Sequence, residues 1–258
     1  MLKSQLKARA RLLRAALITC FVTLFAGGAI NAHEQKRATS SSSTVPLAAL
    51  RATDWDRSQL GSLDPRVFKL ALNAAGCAVQ SGKTASPTTL TVIDYSKPST
   101  QKRLWVVDLR THALLFEELV AHGQGSGNNM ATAFSNDAET HQSSIGLFAA
   151  KEAYLGKNGY SLRLDGLDAG FNDRAMDRAI VIHGAAYVSE AIARAQGRLG
   201  RSWGCPALRE SVAHDLIDRV KESGLVFAYY PDPKWLAASP FLHDCYGTPG
   251  AAPVVAIG

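Results

Sequence analysis

Cysteine is scarce in this chain: there are four among 258 residues, and no two stand in Cys-x-x-Cys spacing. His-Glu-x-x-His is missing as well, so the usual ligand sets of a zinc peptidase are not present. No internal repeat period appears, and no repeat architecture is expected. Basic charge is also thinner than its total suggests. Lys and Arg number 28 against 22 Asp and Glu, but five of the basic residues fall in the first 32 positions, leaving 23 against 22 beyond them. A balance that close to neutral offers no footprint for nucleic acid. After the first apolar stretch no second one long enough to span a bilayer follows.

What the chain does have begins at its start. Lys3, Lys7, Arg9, Arg11 and Arg14 form a basic region, followed by the apolar stretch Ala15 to Ala26 and then Gly27-Gly28-Ala29-Ile30-Asn31-Ala32. This is the pattern of a secretory signal peptide over residues 1–32, with cleavage after Ala29 or Ala32. The alternative, an uncleaved anchor, faces the same compartment, so export to the periplasm or cell envelope is expected in both cases. Three cysteines remain beyond it: Cys77, Cys205 and Cys245. An exported protein can hold disulfides. If Cys205 stays free for chemistry, Cys77 and Cys245 can pair; equally, Cys77 can be a small buried apolar residue.

Residues 33–63, with Thr39-Ser40-Ser41-Ser42-Ser43-Thr44 near their middle, read as a disordered linker. Asp64-Pro65 has the form of a helix cap followed by Pro at the first helical position. Val67, Leu70, Ala71, Ala74 and Ala75 then recur at helical spacing, with Gly76 as the expected stop, inside a helical segment over 64–85. Residues 86–232 form the main domain. Short β-rich runs lie at Leu90 to Tyr95, Arg103 to Leu109, Leu114 to Ala121, Ser161 to Leu164, Ala179 to His183 and Leu225 to Tyr230. Two helices, roughly Ala186 to Gln196 and Arg209 to Glu222, interrupt them. The fold class expected is therefore mainly β with flanking helices. Residues 233–258 read as a C-terminal tail with little regular pattern, which Phe241, Leu242 and Cys245 could pin down.

The chemistry concentrates in two short stretches. Ile182-His183-Gly184 closes an apolar run, and Ser202-Trp203-Gly204-Cys205-Pro206 lies in a Gly-containing loop. A thiol must lose its proton before it attacks a carbonyl, and a histidine within reach is the usual means, so Cys205 reads as nucleophile and His183 as base. Ser202 and Gly204 are small enough to let substrate and backbone N–H groups approach the sulfur. His122 reads as a cleft or a structural histidine. His112, His141, His214 and His243 read as surface or local structural residues, and Asp165 and Asp168 as turn acids.

These stretches, with Ser143-Ser144-Ile145-Gly146-Leu147-Phe148, resemble the YkuD-type L,D-transpeptidases, and most closely the murein L,D-transpeptidase catalytic domain family. Ala121-His122-Gly123-Gln124-Gly125-Ser126-Gly127, Phe134-Ser135-Asn136 and Gly170-Phe171-Asn172-Asp173 extend the resemblance, which covers roughly Leu90 to Tyr230. It implies a β-sandwich-like catalytic domain acting on peptidoglycan tetrapeptide stems without metal or organic cofactor. Carried over, Cys205 forms a thioester with release of the terminal D-alanine. His183 serves as base and then acid, and the N–H groups of Cys205 and Gly204 hold the oxyanion. The acyl group then passes to a second stem, giving a 3-3 crosslink, to another D-amino acid, or to water. Trp203, Arg201, Gly184, His122, Ser144, Gly146, Ser135 and Asn136 are the candidates to line the substrate groove. Carbapenem-type inhibitors are expected to acylate Cys205. Most of the family reads Ser/Thr-His-Gly-Cys with an Arg two residues after the cysteine; here Trp203 and Ala207 stand at those places, with Arg201 or Arg209 as substitutes for the charge. An L,D-carboxypeptidase or endopeptidase and a non-catalytic wall-binding protein are the competing readings.

Overall fold

The computed structural model describes residues 50–243 and 245. The expected signal segment 1–32, residues 33–49 of the expected linker, and residues 244 and 246–258 of the tail lie outside the described residues. From Leu50 to His243 the chain is folded. Short 3-10 turns at Ala52–Asp54 and Arg57–Gln59 carry it along the domain, and Leu50, Trp55, Leu60 and Leu63 are buried. Residues 50–63, expected within a disordered linker, are thus part of the folded domain. These four apolar residues follow neither a helical nor a strand period, which is why the segment passes for linker in the sequence. Trp55 packs edge-on against Phe68 and stacks on His112.

Helix α1, Pro65–Gln80, starts where its capping chemistry says it should. The Asp64 carboxylate accepts the Arg66 N–H at 2.8 Å, and Pro65 supplies a preset φ at the first position. It does not stop at Gly76. A mid-helix glycine costs about 1 kcal/mol against alanine, and the turn beyond it buries Cys77 and Ala78, which offsets that cost. α1 packs on the sheet and on a short C-terminal helix, and Cys77 is joined to Cys245 by a disulfide with a Cα–Cα separation of 5.0 Å. Of the two readings of Cys77, the structure supports the bridge.

Eight strands form one mixed sheet: β1 Thr89–Asp94, β2 Leu104–Asp108, β3 Ala113–Glu118, β4 Gly146–Gly156, β5 Gly159–Gly166, β6 Val181–Gly184, β7 Ala207–Leu208 and β8 Gly224–Tyr229. Their order is β3-β2-β1-β8-β4-β5-β6-β7. The β1–β8 and β6–β7 pairs are parallel and the others antiparallel. Three residues past β3, Ala121 forms an antiparallel bridge with Ala207 of β7, so the two edges of the sheet meet and it nearly closes on itself. Closure matters for function because it brings the stretch around His122 against the loop that carries Cys205.

β4 was not among the expected β-rich runs. Its sequence, Gly-Leu-Phe-Ala-Ala-Lys-Glu-Ala-Tyr-Leu-Gly, is rich in residues of low strand preference. What makes it a strand is position: its first half is buried between β8 and β5. Helices α2, Glu190–Gln196, and α3, Glu210–Val220, are shorter than expected. The Ser189 hydroxyl accepts the Ile192 N–H and starts α2 there, while Ala185 and Tyr187 spend their backbone groups on Leu208 and Gly200. The tail is more ordered than its sequence suggests. α4, Pro233–Ala238, and α5, Pro240–His243, bury Trp235 and Phe241. Asp168, expected to be a turn acid, is buried instead; it accepts the Leu147 N–H at 2.7 Å and the Ser239 hydroxyl, tying the tail to β4. Asp165 is half-buried on β5 and pairs with Lys151.

Candidate active site

Two neighbouring strands assemble the site. β6 carries His183 one residue before its end, and the parallel pairing of His183 with Ala207 lays the loop 202–206 alongside residues 179–183. The Cys205 sulfur accepts the Val181 N–H at 3.5 Å and lies 3.7 Å from the Ala179 carbonyl, to which the thiol donates. Ala179 has φ +52°, a left-handed conformation that costs a non-glycine residue about 1–2 kcal/mol. That conformation belongs to the turn that aims its carbonyl at the sulfur. Cys205 is buried, and it is the free cysteine among the described residues.

The ring of His183 has a defined proton. A carbonyl can only accept, so the 2.8 Å contact between Nδ1 and the Gly184 oxygen places the hydrogen on Nδ1. Nε2 then carries a lone pair and makes no hydrogen bond among the described residues. Burial lowers the His183 pKa below its ordinary value, opposed by the Gly184 contact. Burial raises the Cys205 thiol, opposed by the Val181 N–H and by the positive charge of Arg178. At neutral pH the resting pair is thus thiol and neutral imidazole, with no hydrogen bond between them. A neutral base with an open lone pair can take the thiol proton when substrate arrives.

The loop itself is braced from behind. Gly204 donates its N–H to the Ser202 hydroxyl at 3.1 Å, which in turn donates to the Cys205 carbonyl at 2.6 Å. Ser202 therefore shapes the loop, and the Gly204 N–H, expected to help hold an oxyanion, is already engaged. The Cys205 N–H makes no hydrogen bond among the described residues and is the donor left open. Gly204 has φ +116°, and a Cβ there would lie 2.8 Å from the Gln142 carbonyl, so only glycine fits. Ser143 donates to the Gly204 carbonyl at 2.9 Å and accepts the Gly123 N–H at 3.0 Å. The Ser202 N–H donates to the His122 carbonyl, and Gln124 N–H to the Ser202 carbonyl.

His122 does not face a cleft. It is fully buried, its Nδ1 accepts from the Arg103 guanidinium at 2.7 Å, and its Nε2–H points to the Gly127 carbonyl at 3.4 Å. Burial first, and the Arg103 charge second, pull its pKa from 6.5 down to about 4. Gly146 is likewise structural: at φ +114°, a Cβ would come within 2.5 Å of the Asp168 carboxylate and 2.7 Å of the Asn172 amide. Gly184 allows β6 to approach α3, since a Cβ there would sit 3.1 Å from Ala213. Asn136 donates to Asp173 and accepts the Arg174 N–H, joining two loops. The Ser144 hydroxyl donates to the Ser135 carbonyl. Of the substitutes for the family arginine, Arg209 is spent on a bidentate pair with Glu118, and Arg201 on the Gly127 carbonyl and Asn128.

Trp203 is 73% exposed beside the nucleophile. It stacks on His141 with centroids 5.0 Å apart and planes 10° from parallel, and the Gln124 amide holds the His141 ring at 2.9 Å. His141 is therefore part of the site's wall, which sequence reasoning missed because the stack joins residues 62 positions apart. Half-buried Tyr187 was also missed. Its pKa is pushed up to about 12 by burial first and by the charge of Cys205 second. Its only sequence signal is its place four residues after His183. Among the described residues, no three His, Cys, Asp or Glu side chains gather into a metal-binding group.

Comparison with known proteins places the chain in a family. The family model described as the L,D-transpeptidase catalytic domain matches residues 59–229. Similar solved structures include an L,D-transpeptidase from Mycobacterium smegmatis, at 14% identity and a TM-score of 0.35, covering 58% of this chain and 64% of that one. An L,D-transpeptidase from Stackebrandtia nassauensis shows 14% identity and a TM-score of 0.35, covering 68% and 75%. The L,D-transpeptidase LdtMt1 in complex with imipenem shows 15% identity and a TM-score of 0.34, covering 56% and 60%. This chain thus spans just under two thirds of the length of the first of these. No curated protein matches it in sequence. With the family model covering well over half of its residues, the chain belongs to the L,D-transpeptidase catalytic domain family.

Proposed function

We propose that the protein is exported to the periplasm or cell envelope and acts there as a cysteine-dependent L,D-transpeptidase on peptidoglycan tetrapeptide stems. The observation that carries this reading is the pairing of a free Cys205, cradled by the Val181 N–H and with its own N–H open, with a His183 whose Nε2 lone pair is open. The S–H bond breaks as Nε2 takes the proton, and the sulfur attacks the carbonyl of the third stem residue. The Cys205 N–H faces the negative charge that develops on that oxygen. The amide C–N bond then breaks, His183 returns the proton to the departing D-alanine amine, and a thioester remains. An amine of a second stem attacks the thioester while His183 takes up its proton, and the thiol is restored.

The test is to incubate the mature protein and its Cys205→Ala variant with purified tetrapeptide muropeptides and follow products by mass spectrometry. Cysteine-dependent loss of D-alanine with new dimers is expected. Loss of D-alanine with tripeptide monomers as the sole product would assign hydrolysis instead, and equal turnover by Cys205→Ala would overturn the reading. Imipenem is expected to add its full mass to the wild-type protein and none to Cys205→Ala, because a thiolate opens the lactam ring without losing a fragment.

A further inference from the structure

We propose that Arg178 is a positioning residue for the nucleophile: its guanidinium clamps the loops that abut Gly204 and supplies the fixed positive charge toward which the Cys205 thiolate forms. The inference deepens the reading above and rests on Cys205 being the nucleophile. Its geometry is specific. One guanidinium nitrogen donates to both the Ser135 carbonyl and the Ser144 hydroxyl at 2.6 Å, and another donates to the Gln142 carbonyl at 2.7 Å. That same Gln142 carbonyl is the group that would meet a Cβ on Gly204 at 2.8 Å, so the clamp presses directly on the residue before Cys205. On the other side, the residue after Arg178 is Ala179, whose carbonyl accepts the thiol, and Val181 donates to the sulfur. The run 178–181 therefore holds the sulfur through one carbonyl and one N–H, with the Arg178 cation next to the residue whose carbonyl meets the thiol.

A half-buried guanidinium charge acts on a buried sulfur with less screening by water than an exposed one would. Arg178 lowers the thiol pKa against the rise caused by burial. The charged and titratable groups around the pair are few. His183 follows on β6, Tyr95 and Tyr187 feel the charge of the sulfur, and Asp137 and Arg174 bear on Arg178 from the neighbouring loops. None of these supplies a second cation to the sulfur. When the S–H bond breaks and the proton moves to Nε2 of His183, the negative charge forms within the field of Arg178.

The experiment reads the thiol directly and needs no substrate. Wild type, Arg178→Gln and Arg178→Lys are alkylated with iodoacetamide across pH, modification is followed at the Cys205 peptide by mass spectrometry, and melting temperatures are recorded alongside. Removing the charge should raise the alkylation midpoint by about one pH unit and slow alkylation about tenfold below it. Lysine keeps the charge but cannot make the whole clamp, so Arg178→Lys should melt earlier and keep a midpoint near wild type. A midpoint in Arg178→Gln equal to wild type, or one in Arg178→Lys that rises as far as in Arg178→Gln, would overturn the proposal. If Arg178→Gln does not fold, Arg178→Lys decides by itself: an unchanged midpoint with a lower melting temperature supports the role of charge, and a raised midpoint refutes it. Failure of the wild type to turn over muropeptides would count against transpeptidation, and the midpoint comparison would still decide this inference.

Discussion

His122 and His183 have the same local signature, an apolar strand residue, then His, then Gly, and the fold puts them to opposite uses. His122 has both ring nitrogens engaged. Arg103 can only donate, so it fixes Nδ1 as the acceptor and leaves the hydrogen on Nε2, facing the Gly127 carbonyl. His183 is the other tautomer, because a carbonyl that can only accept meets Nδ1 and frees Nε2. Both are desolvated and both are driven toward the neutral form. The difference lies in the partner: a cation at Nδ1 makes a histidine a fixed brace, and a carbonyl there makes it a base with an open lone pair.

The largest effect that tests this contrast is on catalysis. His183→Ala should lower the rate of Cys205 acylation by about 10²–10⁴-fold, measured as the rate of adduct formation with imipenem. Because burial lowers the His183 pKa, the acid limb of the wild-type acylation profile should lie below pH 6.5, and it should vanish in His183→Ala. An acid limb kept in the variant would assign the base elsewhere.

The next effect concerns stability and belongs to the brace. His122 titrates near 4 in the fold against 6.5 when unfolded. Between those values the unfolded chain binds a proton that the folded chain refuses. Stability from this source is therefore fully present above pH 6.5 and lost as pH falls toward 4, a change of about 3 kcal/mol. His183 adds to the loss in the same direction. In His122→Gln the amide oxygen can still accept from Arg103 while nothing titrates. Denaturant titrations from pH 7 to 4 should show a clearly shallower decline in this variant, and an unchanged slope would mean that His122 is not held neutral.

What could be read from the sequence was what is chemically local. The Asp64-Pro65 cap, the Cys205 loop and the strand that carries His183 each depend on neighbours a few residues away, and the structure places the elements close to where those signals stand. What was hidden depends on distant partners. Gly146 looks like a groove residue until Asp168 and Asn172 are found against it, and β4 looks like a weak strand until β5 and β8 enclose it. Arg178 carries no motif at all; its importance comes from Ser135, Gln142 and Ser144 converging on one guanidinium. His122 reads in the sequence as either a cleft or a structural histidine, and its ring partners decide for the second.

The smallest effect tests whether the active side of this comparison stores strain that the brace does not. Ala179 sits at φ +52° with its carbonyl toward the thiol. Glycine adopts that conformation freely but loses more chain entropy on folding, so Ala179→Gly should stabilise the protein by about 0.5–1 kcal/mol net. Ala179→Val should destabilise it, because a β-branched side chain fits the left-handed region worse than alanine does. Thermal melts of the two variants give the sign of each change. If the carbonyl is held on the sulfur by this strained turn, the glycine variant should also acylate more slowly with imipenem while melting later. A gain in both stability and rate would show that the left-handed turn is incidental to the nucleophile, and the strain would then belong to the loop's closure onto β6 alone.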